Sequence, residues 1–589
     1  MAKSIKGADP ALYNADMAPT TAAERTWGMW SFASLWVAMV VCVPTYLLSG
    51  GLVAAGMNWW QAVLTVFLGN AIVLIPMVLI GHMGAKYGVP FPVLLRSVFG
   101  TKGAKIPAIM RGLVACGWFG INTWVGGSAI YVILNVLSND MFKGADLPIL
   151  GIDTAQTVSF LVFWAMHLYF IKKGTESIRW LETLAAPFLL AMGLALLAWA
   201  YVKAGGFGEM LSAPSQFVSG GARQGQFWGV FVISLTAMVG FWATVALNIP
   251  DFTRFAKSQR DQILGQAIGL PIPMALFAFI SVAVTSATVQ IYGEAIWNPV
   301  ELAGRMGGVG VVFALIALVV ATLSTNLAAN VVAPAYGFSN LAPSKISFEM
   351  GGYITAAIGV LIFPWKLVED AGDFIFTWLV GYSALLGPIA GLLIADYYLL
   401  RKTNLELEDL FKNDGIYASN NGWNQAGLIA LLIGILPNLP GFLHVAGFVT
   451  SVPAVFDVIY GYAWFVGFAV AGAVYLVLAG KLEKQESNMS FPVYELTLHK
   501  TYYEKGFFNL GVSVDRYIQL KDAPITIKLG DSSRQLIGRS DRKANQNGTP
   551  RIHVGVELTD WFVRHFEEKD MIDVIILSKN IIQLRKKTQ

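Results

Sequence analysis

Two tryptophans and two asparagines stand at fixed offsets inside otherwise apolar stretches of this 589-residue chain. Trp118 and Asn122 lie in RGLVACGWFGINTWVGG, four residues apart and so on one face of a helix. Trp242 lies in MVGFWATVALNIPDFTRF, just after Gly240, and Asn330 lies in ATLSTNLAANVVAP, five residues past Thr325. A carboxamide offers two N–H donors and a carbonyl acceptor, which matches the alternating N–H and C=O edge of a lactam or imide. An indole face stacks on a planar ring and adds roughly 0.5–1.5 kcal/mol beyond the burial of its area. Almost no charge surrounds these residues, so the ring they suit is flat, neutral and hydrogen-bonding. Each residue alone also fits a bland role, packing between and bridging membrane helices.

A second set of groups is suited to a cation. Ala321, Ser324 and Thr325 share one apolar stretch. Hydroxyls in such helices often bond back to the carbonyl one turn earlier. They also join a cage of oxygens around a hard cation when a broken helix frees carbonyls nearby. Pro44, in VVCVPTYLLSGG, predicts such a break over Val41–Pro44, freeing the carbonyls of Ala38 and Val41. This cage contains no carboxylate, so binding is expected to be weak and substrate-dependent. The cysteines, Cys42 and Cys116, both fall in apolar spans and are not expected to form a structural disulfide. Neither metal-ligand spacing nor a nucleophile–base pair is evident, which argues against an enzyme. Glu182 is the carboxylate to test first for proton coupling, although its place near a span end speaks against it. His82, His167 and His444, also near span ends, are expected to satisfy interfaces.

These residues need a scaffold that spans a bilayer. The chain is 55% hydrophobic with mean hydropathy +0.58, and 13% of it is charged against ~25% in soluble proteins. Apolar runs of about 20 residues recur, enough to cross a ~30 Å hydrocarbon layer. A large soluble all-α protein is excluded, because soluble helices need a polar face. Twelve helical spans are expected, starting near Trp30, Trp59, Ile109, Thr157, Glu182, Phe227, Gly265, Gly310, Gly352, Asp373, Asn424 and Phe456. With that count, 18 Lys and Arg residues of the connectors fall on the side of the N-terminus and 5 on the other. The positive-inside rule then places both termini in the cytoplasm. Residues 1–26 form a polar segment with no apolar region and cleavage site of a signal peptide.

Charge density jumps near Lys481. Residues 1–480 hold 46 charged residues and residues 481–589 hold 32. The chain therefore divides into a cytoplasmic segment (1–26), a transmembrane domain (27–480) and a cytoplasmic domain (485–589). In the last, FPVYELTLH, APITIKLG, RIHVGVEL and DVIILSKNIIQL read as strands, and TDWFVRHFEEKD as a short helix capped by Thr559 or Asp560. This is a small α+β unit with no catalytic motif. A net charge of +4 is too weak to suggest nucleic acid.

Pro44 interrupts the first span, and Gly240 with Pro250 is expected to interrupt the sixth. The two are five spans apart, the offset of two inverted five-helix repeats, and matched breaks point to a transporter site. The motifs YGVPFPVLLRSVFG (87–100), GWFGINTW (117–124), GFWATVALNIPDFTRFA (240–256) and STNLAANVVAPAY, with PWK at 364–366, occur in this order. With them the chain, over roughly residues 20–480, resembles the nucleobase:cation symporter family 1, which includes hydantoin, allantoin and uracil permeases. The resemblance implies an all-α integral membrane fold, a LeuT-like five-plus-five inverted repeat plus two helices. It implies stacking by Trp118 and Trp242, polar contacts from Asn122 and Asn330, and Phe241 and Cys42 in the same pocket. It implies sodium ligands at Ala38, Val41, Ala321, Ser324 and Thr325, with sodium as the coupling ion and no other cofactor. Two positions depart from the family pattern: Cys42 stands where relatives often carry an amide, and Asn122 where some carry glutamine. The expected activity is sodium-coupled import of a nucleobase or cyclic ureide across the plasma (inner) membrane by alternating access. The alternatives are a proton-coupled symporter of the same substrates and a transporter-derived sensor signalling through the C-terminal domain.

Overall fold

The computed structural model describes residue 5 and residues 7–587, except 174, 307–308, 369–372, 488–492, 516, 519–523, 531–534 and 579. Two compact units partition the chain, Met1–Ala479 and Gly480–Gln589. In the first, the opening apolar stretch makes two helices, α1 (Met29–Val40) and α2 (Val43–Ala54), bent by 58° from one another. Cys42 between them is extended (φ −144°, ψ 162°), and its amide turns to the Val40 carbonyl at 2.9 Å. Pro44, which has no N–H to give, sits in the first turn of α2, where none is needed.

The helices that follow are α3 (Trp59–Tyr87), α4 (Phe91–Gly103), α5 (Lys105–Leu137), α6 (Thr154–Lys173), α7 (Thr175–Ala204) and the short α8 (Phe207–Met210). Then come α9 (Phe227–Asn248), α10 (Pro250–Thr253), α11 (Gln259–Gly269), α12 (Pro271–Tyr292), α13 (Pro299–Met306) and α14 (Val309–Asn330). After them lie α15 (Val332–Leu341), α16 (Phe348–Leu361) and α17 (Val380–Ile394). Among the described residues, nine helices are long and apolar enough to cross a membrane, or ten with the bent α1–α2 pair counted as one span. The span expected near Glu182 corresponds to α7, whose described apolar part is Leu190–Ala204, and the one near Gly352 to a shorter apolar helix, Phe348–Leu361.

The sixth span differs from expectation. α9 runs through Gly240 without interruption, and at Ile249, before Pro250, the backbone is still helical (φ −53°, ψ −28°). Pro250 is tolerated because it opens α10 in the position where a missing N–H costs nothing. Gly240 serves packing instead: a Cβ there would collide with the Ser383 hydroxyl of α17. The matched break is therefore present in the first span only.

Around the α1–α2 bend, α5 packs on α14, α15 and α16, while α3 packs on α9 and α12, and α1 on α11. Several arginines expected in the connectors are drawn fully inside. Arg96 of α4 is 0% exposed and donates to the carbonyls of Leu12 and Leu410 and to Asn340 Oδ1 at 2.7–2.9 Å. Arg111 of α5 donates to the Thr244 carbonyl and to Asn248 Oδ1. Asp251 and Arg254 bond to the backbone. Asp251 Oδ1 accepts from the Phe91 amide at 2.8 Å, and Arg254 donates to the carbonyls of Asp16 and Ala18. Lys257 is exposed.

The second unit is a seven-stranded sheet. After a two-stranded hairpin in the first unit, β1 (Asp146–Leu147) and β2 (Ile152–Asp153), its strands are β3 (Val493–Thr497), β4 (Phe507–Asn509), β5 (Pro524–Leu529), β6 (Gln535–Asp541), β7 (Arg551–His553), β8 (Met571–Ser578) and β9 (Ile581–Lys586). The order is β3-β8-β9-β5-β6-β7-β4, antiparallel except for β5 beside β9. Alternation identified β3, β5, β8 and β9, though the last two form a hairpin and not one strand. RIHVGVEL is a strand only to His553. The helix begins at Val556, after Gly555 at φ +95°, and not at Thr559. β6 went unread because Gly538 and Ser540 hold inward positions where the alternation expects apolar residues.

Arg96→Leu leaves two backbone carbonyls and the Asn340 amide without a charged donor, in a site closed to water. A loss of about 3 kcal/mol is expected, read as a lower apparent melting temperature of the purified protein in detergent.

Candidate functional site

The bend between α1 and α2 opens onto a cavity that three other elements complete. Met39, Cys42 and Pro44 come from the bend, and Trp118 and Asn122 from α5. Phe241, Trp242, Thr244 and Val245 come from α9, and Thr325, Ala329 and Asn330 from α14. All six residues expected to contact a substrate thus line one space: Cys42, Trp118, Asn122, Phe241, Trp242 and Asn330. Trp118 and Trp242 are each 4% exposed, so neither indole faces lipid.

The cavity holds about 30 Å³, the share of liquid volume of a single water, so a heterocycle needs more room. Phe241 occupies much of the space: its ring is edge-on to Trp118 at 5.3 Å and to Trp242 at 4.9 Å. Trp242 is in turn edge-on to Trp36 at 5.0 Å. A ring entering between the two indoles must move Phe241.

Both amides are anchored by their nitrogens. Asn122 Nδ2 donates to the Trp118 carbonyl at 3.0 Å, and its Oδ1 is buried without a partner. Asn330 Nδ2 donates to Asn326 Oδ1 at 3.0 Å. The indole N–H of Trp242 is also buried and unpartnered. Asn326, four residues before Asn330 and therefore on the same face of α14, was missed from the sequence; its spacing was the available signal. His167 is fully buried at the interface of α6 with α5 and α14, bonded to Asn326. His82 meets Tyr397 and His444 meets Asp457, as interface residues do. Glu182 lies in a stretch of α7 whose side chains fall outside the described residues.

The expected cation ligands divide between α1 and α14, which touch. Because the Cys42 amide turns to Val40, no described hydrogen bond reaches the carbonyls of Ala38 and Val41. Thr123, Ser159, Thr355 and Ser383 all bond back to the carbonyl four residues earlier. Ser324 and Thr325 show no such bond among the described residues. Thr325 lies on the wall of the cavity, whereas Ala321 is fully buried behind it.

A larger cavity of about 250 Å³ lies on the other side of Cys42, among α2, α7, α12, α13 and α14. Its lining is almost wholly apolar and includes no amide, so it offers no edge-reading groups.

Residues 19–467 match the family model described as permease for cytosine/purines, uracil, thiamine, allantoin. The chain is 47% identical to the purine-uracil permease NCS1 of Arabidopsis thaliana, over 82% of this chain and 80% of that one. It is 39% identical to the allantoin permease of Bacillus subtilis, over 79% of this chain and 93% of that one. Among solved structures it is similar to Mhp1, a nucleobase-cation-symport-1 family transporter, in a closed conformation with bromovinylhydantoin bound. The TM-score is 0.64 at 26% identity, over 80% of this chain and 96% of that one. The LeuT-like fold class expected from the motifs is the one these neighbours share.

Asn330→Ala removes an amide from the cavity wall and leaves Asn326 Oδ1 unpaired. Affinity for the best heterocyclic ligand is expected to fall about tenfold or more, by calorimetric titration of the purified protein. Trp118→Ala is expected to weaken all flat rings together.

Proposed function

The chain belongs to the permease family for cytosine/purines, uracil, thiamine and allantoin, and from that premise we propose that it is a secondary-active importer of a nucleobase or related cyclic ureide, coupled to sodium by alternating access. Its relatives are permeases, and it is an integral membrane transporter and not an enzyme. The observation that carries the substrate reading is the single small cavity that Trp118, Asn122, Phe241, Trp242 and Asn330 line together beside the α1–α2 break. Stacking selects flat rings broadly, and the amides select among their edges.

Sodium coupling rests on the carbonyls of Ala38, Val41 and Ala321 and the hydroxyls of Ser324 and Thr325. Two supports stand out: the carbonyls freed by the break, and the absence of back-bonding by the two hydroxyls. Thr325 also borders the cavity, which supports a reading in which ion and ring bind side by side and each raises the other's affinity. No carboxylate lines that cavity, which disfavours a proton as the coupling ion. The expected split of connector Lys and Arg residues, 18 against 5, supports both termini, and the sheet domain after residue 485, lying in the cytoplasm, with the transporter in the plasma membrane.

Thr325→Ala should raise the sodium concentration needed for half-maximal uptake into proteoliposomes several-fold while leaving the melting temperature near that of wild type. Uptake that follows a pH gradient and ignores sodium would overturn the coupling. A chain ended at Lys484 should retain part of the uptake, since the sheet domain carries no pocket-lining residue. Complete loss in a correctly inserted truncation would assign that domain a role in the transport cycle, and binding without uptake by the whole chain would identify a sensor.

A further inference from the structure

Asn330 does not set its own orientation. Behind it runs a buried chain of hydrogen bonds across three helices, ending on two backbone carbonyls. His167 Nδ1 of α6 is 2.9 Å from the Phe163 carbonyl. A carbonyl only accepts, so Nδ1 carries the proton, and the neutral ring has a bare Nε2. That Nε2 is 3.0 Å from Asn326 Nδ2, and the Phe119 carbonyl of α5 is 3.1 Å from the same nitrogen. Both partners accept, so both N–H groups of Asn326 are turned toward them. The Thr123 hydroxyl, 3.4 Å from this nitrogen, donates to the Phe119 carbonyl and thus also faces Asn326 as an acceptor.

Asn326 Oδ1 must then point the other way, where Asn330 Nδ2 donates to it at 3.0 Å. His167 and Asn326 are each 0% exposed, so no water can substitute for a missing bond. The imidazole is held edge-on between the rings of Phe119 at 4.9 Å and Phe163 at 4.7 Å, which prevents it from turning over. A reversed amide at Asn326 would put its oxygen against the Phe119 carbonyl and the bare Nε2, leaving three acceptors together in an apolar interior.

We propose that His167 is a positioning residue for substrate selection: acting through Asn326, it fixes Asn330 so that its carbonyl oxygen is offered to the transported ring. Asn122 has the same polarity, with its nitrogen tied to the Trp118 carbonyl and its oxygen free. The cavity wall therefore presents two amide acceptors beside the unpartnered indole N–H donors of Trp118 and Trp242. It selects a ring with N–H groups beside its carbonyls, the pattern of a cyclic ureide, over a ring of equal shape that presents a bare nitrogen at that edge. This rests on the reading of the cavity as the substrate site.

Uracil and cytosine test it, because they have nearly the same outline while cytosine replaces the N3–H of uracil by a lone pair and its C4 carbonyl by an amino group, which inverts the donor and acceptor order at that edge. Binding of both, with hydantoin and allantoin as further probes, is measured on the full-length protein in detergent. Wild type is expected to favour uracil over cytosine by about tenfold or more. His167→Phe, which keeps a ring between Phe119 and Phe163 but removes the acceptor, is expected to collapse that ratio. His167→Gln, whose Oε1 can accept in place of Nε2, is expected to restore it. Equal weakening of every ring by His167→Phe, with the ratio intact, marks a purely structural role and overturns the proposal. Should that variant not fold, the ¹⁵N spectrum of histidine-labelled wild type, with His167 identified by its loss in His167→Gln, decides. A neutral ring protonated on Nδ1 is expected, and any other form overturns the relay. If wild type binds none of the four probes, the reading of the site itself fails; if it binds them without preferring the N–H edge, only the inference fails.

Discussion

A helix that stops inside an apolar bundle exposes peptide groups where no water can reach them, and that constraint organises the membrane unit. Each unbonded group in such a place costs several kcal/mol unless the chain or a ligand answers it. The interruption at Val41 and Cys42 is therefore tolerable only where other helices enclose it and where polar groups are wanted. The small cavity lies at that spot, and α5, α9 and α14 each bring polar side chains to it. The cavity is a consequence of the break as much as of the residues that decorate it.

Polar groups elsewhere in this unit are handled by a different rule at each depth. Around the cavity they are neutral: asparagine, threonine and a histidine bonded as a neutral ring, with the side-chain nitrogens of Asn122, Asn326 and Asn330 each answered by a carbonyl or another amide. Near the basic end they are arginines whose guanidinium groups are spent largely on backbone carbonyls, as with Arg96 and Arg254. Carbonyl partners take up the terminal N–H groups without adding counter-charge, while the Nε of Arg96 and of Arg254 is left unpartnered. One buried carboxylate that does pair, Asp396 with Arg401, also takes bonds from Ser97 and Tyr475.

The sequence made the centre of the site legible because its residue types are rare there. Tryptophan and asparagine in uncharged spans at helical spacing stand out, and all of them line one cavity. Pro44 announced the break correctly, since a proline in mid-span leaves few other outcomes. Gly240 and Pro250 looked alike in sequence yet do other work, because a glycine serves close packing as readily as bending. Whether it does so is decided by Ser383, 143 positions away. The partners of His167 were unreadable for a related reason: position along a span says little about what faces a side chain from two neighbouring helices. In the sheet domain, strands with apolar alternation were readable, while β6 was hidden by small inward residues whose space is set by Ile527 and Val554.

The segment before α1 is threaded into the bundle rather than laid on it. Met17 is fully buried, Thr20 donates to the carbonyls of Gly88 and Arg254, and the Leu12 carbonyl is held by Arg96. Asn14 reaches Ser339 of α15, and Trp27 pairs with Phe255 and Lys257. Separating α4 from α15 at this end requires those bonds to be surrendered as a group. The segment thus behaves as a cooperative unit whose local unfolding free energy enters the barrier to conformational exchange. Uncoupled leakage and turnover rate become linked quantities in such a molecule, tuned together by residues that never touch cargo.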